Sequence, residues 1–322
     1  MDYCVNLFTQ NRTAALYVTG TTVALLGLGL GYKYIWKQKK LIRVGVVSQL
    51  LVHPMKSGKA VLVDTAECLR MGLKCGELQD RHWLVITEDG HMLTGRQQPR
   101  LVLVSLTCEN GQLCLSAPEM DELRVPLHQG TNPIFNCRVF SSDIQGRDCG
   151  EEVSSWLTRY LAAGVTFRLV HFEPSLKARS SADQDSRFPK DTQVAYPDAA
   201  PVMLMSMASV QDLGNRLDCD FSVYQFRPSI VVGDCEPFAE DSWDYVQIGQ
   251  VELQRVMGCG RCVLTTVDPE TGIISRKEPL NTLKTYRLID PAQKASPIFG
   301  QYYALKKTGV LHVGDPVYKI NY

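Results

Sequence analysis

Four consecutive residues, Cys259-Gly260-Arg261-Cys262, carry two thiols at the spacing that metal and redox chemistry use. A zinc half-site would need a second Cys-x-x-Cys or a histidine pair, and His53, His82, His91, His128, His171 and His312 never fall at ligand spacing. A thioredoxin-like motif would need a helix after it, whereas Cys262–Val267 reads as a strand. A single soft thiolate ligand to a metal centre is compatible with the adjoining Arg261, because a neighbouring cation favours the thiolate. Two buried cysteines beside a turn are the plain alternative. A second cluster, His53-Pro-Met-Lys56-Ser57-Gly58-Lys59, sets an ammonium and a hydroxyl in a Gly-containing turn just after a strand, a setting that suits an anion. Arg81, in Asp80-Arg81-His82-Trp83, and Arg227, in Gln225-Phe226-Arg227-Pro228, each stand at the entrance to a strand. Each cation alone reads as a solvated rim residue. Gathered round one cysteine they would form a phosphate pocket, since Arg grips phosphate bidentately.

The elements that must position these groups are mostly short strands with turn residues between them. Val44–Val52 is a strand, and Trp83–Thr87 with residues 91–94 forms a hairpin around Asp89-Gly90. Leu101–Cys108 and Leu113–Ser116 flank Asn110-Gly111. The spacing of Val153, Trp156, Leu157 and Tyr160 predicts a helix over Glu151–Leu161, and that of Val210, Leu213 and Leu217 another over Ser206–Leu217. Strands follow at Ser229–Val232, Val246–Met257 and Cys262–Val267, with a turn at Asp268–Gly272. A helix near Leu280–Leu288 and a strand pair near Val310–Ile320, broken at Gly314-Asp315-Pro316, close the chain. The fold class is α+β and β-rich: two strand-rich units of curled sheets or small barrels with a few packed helices.

Composition narrows the function. The 322 residues are 45% apolar and 21% charged, enough for a substantial core and incompatible with global disorder. The formal net charge is zero, yet Tyr3–Val63 has eight basic and no acidic residues. Residues 64–322 carry 26 basic against 33 acidic side chains. A net −7 body lacks the positive face that nucleic acid requires, so none is expected as a partner. Eleven scattered cysteines are the usage of a reducing compartment. No G-x-G-x-x-G follows a strand, and there is no Walker A loop, H-E-x-x-H or G-x-S-x-G.

Residues 13–36 read as a transmembrane signal-anchor after a 1–12 tail. Thr13–Tyr32 is twenty residues without a charge, about 30 Å as a helix. The basic cluster Lys33, Lys37, Lys39, Lys40 and Arg43 follows it, which places the C-terminal body in the cytosol. Residues 37–43 are a basic linker, and polar, charge-mixed 175–191 is a connection between units 44–174 and 192–322.

In long ordered segments the chain resembles the molybdenum-cofactor sulfurase C-terminal (MOSC) family, in its membrane-anchored amidoxime-reducing branch. The segments include HPMKSGK (53–59), DRHWLVI (80–86), GRDCG (146–150), FRPSIVV (226–232), RCVLTTVDPETGIISRKEPLNTLKTYR (261–287) and VGDPVY (313–318). The resemblance implies a β-rich MOSC N-terminal domain followed by a MOSC β-barrel, and a molybdenum cofactor (Mo-molybdopterin) between them. It implies Cys262 as catalytic residue and metal ligand, with Lys56, Ser57, Arg81, Arg227, Cys259, Gly260, Arg261 and Tyr302 binding the cofactor. It implies reduction of amidoximes, hydroxamic acids and N-hydroxyguanidines, with nitrite or nitrate as smaller substrates, at the mitochondrial outer membrane. Cytochrome b5 and NADH-cytochrome b5 reductase would be the electron donors. A non-enzymatic cofactor carrier is the alternative. The sequence departs from the family at Gly58, where relatives often have Cys, and at Ala199 and Ala200, which lack expected hydroxyls.

Overall fold

A computed structural model describes residues 39–219 and 221–321. The segment 13–36, expected to span a membrane, lies outside the described residues, among which no helix is long and apolar enough to cross one. Residues 43–319 form one compact unit. The chain ends, 1–42 and 320–322, group separately and contribute to the description only the first residues of one strand and the last of another.

Along the chain, strand β1 (Lys40–Val52) leads into a region built on β2 (Trp83–Thr87), β3 (Ile134–Val139), β4 (Ser142–Asp148), helix α1 (Glu151–Leu161) and β5 (Phe167–His171). The order β3-β4-β5-β2 makes an antiparallel sheet. Helix α1 buries the expected stripe of Val153, Trp156, Leu157 and Tyr160. Then come β6 (Val202–Ser206), α2 (Met207–Gly214), β7 (Ile230–Gly233), β8 (Tyr245–Ile248), β9 (Val251–Gly260), α3 (Leu280–Tyr286), β10 (Ile298–Lys307) and β11 (Pro316–Asn321). The sheet order β7-β6-β10-β9-β8-β11-β1, with β7 also on β1, closes seven strands into a barrel. Closure leaves no free edges within the ring. The one parallel step is β6 to β7, which needs a crossover, and α2 supplies it. Every residue of β6 is buried, as expected of a strand covered on both faces.

Five expectations are corrected. Leu101–Cys108 is not one strand: Pro99–Leu103 winds into a 3₁₀ turn begun by proline, and the strand is Ser105–Glu109. Cys262–Val267 is also a 3₁₀ turn over Val263–Thr266, because Thr265 and Thr266 hydroxyls bond back to Cys262 O and Val263 O. Val246–Met257 breaks at Gly249, whose φ of +54 lets the chain turn between β8 and β9. Gly309–His312 and β11 do not pair with each other: the first joins Thr65–Leu69 and the second β8. Strands β6 and β10 had not been anticipated. In residues 91–94 only single bridges, such as Ile86↔Met92, replace the second hairpin strand.

Trp83 ties β2 to the barrel side. Its indole stacks on His171 at 4.3 Å between ring centroids, and its backbone forms a parallel β-bridge with Met55. Burial, with smaller contributions from His82 and His128, lowers the His171 imidazole to about 4. The unfolded chain takes up this proton below about pH 6.5 while the native state refuses it, so acid costs stability. The unfolding free energy of the wild type should fall relative to His171→Phe by up to about 1.4 kcal/mol per pH unit between pH 6 and 4. Urea titrations giving parallel pH profiles for the two proteins would contradict this.

Candidate active site

All nine residues singled out in the sequence line one pocket. They arrive from five stretches: Lys56 and Ser57 after β1, Arg81 before β2, Arg227 before β7, Cys259 to Cys262 at the end of β9, and Tyr302 on β10.

Backbone hydrogen bonds lace the first two stretches together: Arg81 N to His53 O at 2.6 Å, Lys56 N to Trp83 O at 2.8 Å and Trp83 N to Pro54 O at 3.0 Å. Three pocket residues, Ser57, Arg81 and Arg227, have left-handed backbones with φ of +65, +50 and +54. Non-glycine residues pay about 1 kcal/mol or more for that conformation, and such strain gathers at functional sites. Here it turns each side chain out of its own strand direction and into the common space.

The cations are held by oxygen acceptors of the protein. Arg227 donates to Gly58 O at 2.6 Å and Met55 O at 3.3 Å, and Arg81 donates to Arg227 O at 3.0 Å and to the Asp80 carboxylate. Lys56 Nζ donates to Tyr196 O at 2.8 Å and to the Asp198 carboxylate. Burial first, and Arg81 second, lower Arg227 to about 9. Burial also lowers Lys56, against the pull of Asp198. Burial alone would raise Asp198, but Lys56, Arg96 and Arg81 outweigh it and hold the carboxyl at about 2. The pocket thus keeps more positive than negative charge in a shielded setting, and an added anion would relieve the repulsion.

Arg261 is different. Its guanidinium is 7% exposed and spends its donors on Phe299 O at 2.7 Å and Phe226 O at 2.9 Å, with its face over the Phe226 ring. It lines the pocket and fixes the Cys259–Cys262 turn.

The two thiols sit in contrasting places. Cys259 is buried in the cluster around Leu51, Phe226 and Phe299, its thiol partnered with the Tyr302 hydroxyl, and burial raises it. Burial likewise pushes Tyr302 well above its ordinary value. Cys262 is exposed at the head of the 3₁₀ turn. Both are free thiols. Among the described residues no group of three or more His, Cys, Asp or Glu side chains gathers as a metal site. A metal at Cys262 must therefore bring its remaining donors on its own ligand, which suits an anionic organic cofactor in the cationic pocket.

Sequence reading missed Asp198, Gln225, Phe226 and Thr265 in the lining. Asp198 stands in a segment read only for its alanines. Arg179 was missed too, lying in a stretch expected to be a loose connection. It is 3% exposed and holds Pro197 O and Asp198 O, each at 3.2 Å.

Two family descriptions match: MOSC N-terminal beta barrel domain over residues 44–164 and MOSC domain over residues 191–318. Among curated proteins the chain is 68% identical to mitochondrial amidoxime-reducing component 1 of Danio rerio, covering 98% of this chain and 97% of that one. It is 48% identical to the component 1 of Xenopus laevis, covering 96% and 95%, and 48% identical to component 2 of Homo sapiens, covering 95% and 93%.

Asp80 is fully buried and accepts from His53 N at 2.7 Å as well as from Arg81. Removing it takes away the carboxylate partner of the half-buried Arg81 guanidinium and leaves the buried His53 N without its acceptor. Asp80→Ala should lower the unfolding free energy by about 3–5 kcal/mol, and Asp80→Asn by less because an amide oxygen still accepts from His53 N. Denaturant midpoints equal to the wild type in both variants would refute the anchoring role.

Proposed function

The chain belongs to the MOSC family of mitochondrial amidoxime-reducing components, and we propose that it is a molybdenum-cofactor-dependent reductase of N-hydroxylated compounds. The observation that carries this is one exposed thiol, Cys262, at a pocket that Lys56, Arg81 and Arg227, from distant parts of the chain, also line. Bound there, the cofactor supplies a metal centre able to pass two electrons. The overall reaction takes an amidoxime, two electrons and two protons to an amidine and water, with the N–O bond broken. Hydroxamic acids and N-hydroxyguanidines undergo the same N–O cleavage, and nitrite or nitrate would be smaller substrates.

The chain's own residues bind and orient. Cys262 offers the thiolate to the metal. Lys56, Ser57, Arg81 and Arg227 take the phosphate and polar rim, and left-handed Ser57, Arg81 and Arg227 aim them. Cys259 and Gly260 form the floor of the same turn, where a Cβ at Gly260 would meet Gln293 Oε1 at 2.2 Å. Cys259 and Tyr302 stay protonated because burial raises both, so neither competes with Cys262 as an anion. Arg261, packed on backbone carbonyls, keeps that turn rigid.

The family resemblance implies cytochrome b5 and its NADH-dependent reductase as the electron donors, the sequence having no flavin or haem motif of its own. The relatives' names place them in mitochondria. With a 13–36 anchor, the body would face the cytosol from the outer membrane.

Cys262→Ala should lose bound molybdenum and benzamidoxime reduction while keeping the wild-type circular dichroism spectrum. Cys259→Ser should retain both in part. Full turnover by Cys262→Ala sinks the assignment, and cofactor retention without turnover by the wild type, given both electron donors, favours a carrier. Equal inactivation by Cys259→Ser points to thiol–disulfide chemistry instead.

A further inference from the structure

A second cavity of about 180 Å³ adjoins the first and has a different character. The two share Gln225, Arg227 and Leu264 in their walls. Leu264 is two residues beyond Cys262 on the same 3₁₀ turn, so a molecule at the thiol is one side chain from the second space. The remaining lining is mostly hydrocarbon, from Ala60, Leu62, Val102, Val267, Pro269 and the Tyr224 ring. Its only other charges, Lys59 and Glu270, pair with each other at 3.4 Å and are 45% and 69% exposed, so they lie toward solvent and cancel.

We propose that this cavity receives the hydrocarbon body of the substrate while its N–O group lies at Cys262; the inference rests on the reductase reading above. The chemistry divides cleanly. Cationic walls suit an anionic cofactor, and apolar walls with a neutralised rim suit an uncharged aryl or alkyl group. Benzamidoxime is such a molecule, a polar N-hydroxylated head on a neutral ring. A volume of this order accommodates a single ring, and burying it lowers KM through apolar contact without involving the reacting atoms. Selectivity between large and small N-hydroxylated compounds is then set by Ala60, Leu62 and Val102, residues remote from the thiol in sequence.

The test uses the cofactor-loaded enzyme with its electron donors and compares benzamidoxime with hydroxylamine, which is too small to reach the second cavity. Ala60→Phe fills the cavity, and Leu62→Ser removes apolar surface at a side chain that is 55% exposed and safe for folding. Both should raise KM for benzamidoxime, by about tenfold for Ala60→Phe, with kcat at saturation and hydroxylamine reduction within twofold of wild type. Molybdenum content equal to wild type accompanies that result. Loss of both activities alike, or no change in the benzamidoxime KM in Leu62→Ser, overturns the subsite while leaving the reductase standing. A wild type that reduces neither compound overturns the reductase reading and this inference with it.

Discussion

The repulsion among buried cations is the constraint around which this end of the protein is arranged. Arg81 lies close enough to oppose the charge of Arg227, and both disfavour protonation of His53. Left alone in a shielded pocket they would push the loops apart. Asp80 opposes this from below: one oxygen takes Arg81, the other takes His53 N, and the carboxylate itself is fully buried. Burial raises Asp80 even with Arg81 beside it, a sign of how much desolvation the arrangement tolerates to keep a negative charge there. Carbonyl oxygens of Met55, Gly58 and Arg227 complete the support.

His53 shows how the same problem is handled without charge. Its Nε2 lies 2.9 Å from Pro228 O, and since a carbonyl only accepts, that nitrogen carries the proton. Burial, then Arg81 and Arg227, hold the ring well below its ordinary value, so it stays neutral. A neutral imidazole can bridge the β1 and β7 connections where another cation would be repelled. The barrel keeps these connections in register, because β1 pairs with β7 from Val46↔Gly233 to Leu50↔Ile230.

Much of the chemistry was visible in residue types. Lys56, Ser57, Arg81, Arg227 and Cys262 could each be picked from a turn or a strand entrance, and all five line the pocket. Helix α1 was legible because its apolar spacing matched 3.6 residues over eleven. The errors fell where local preference and tertiary demand part. Val263–Thr266 has the β-branched composition of a strand, but two threonine hydroxyls satisfy their own backbone and wind it into a 3₁₀ turn. Strand β10 begins Ile-Phe-Gly-Gln-Tyr-Tyr, and its Gly300, at φ +79, interrupts any alternation.

The amino-acid order by itself settled which side chains were available: a free soft thiol, four candidate cations, and no histidine set at metal spacing. It also settled the β-rich class, since strand length and turn residues are local properties. Only the folded chain decided that residues 56, 81, 227, 262 and 302 meet, that Cys259 is sealed while Cys262 is open, and that Arg261 faces its own backbone. Those outcomes depend on barrel closure, on register, and on left-handed φ angles at Ser57, Arg81 and Arg227. Each is a long-range compromise in which packing overrides the preference of the residue itself.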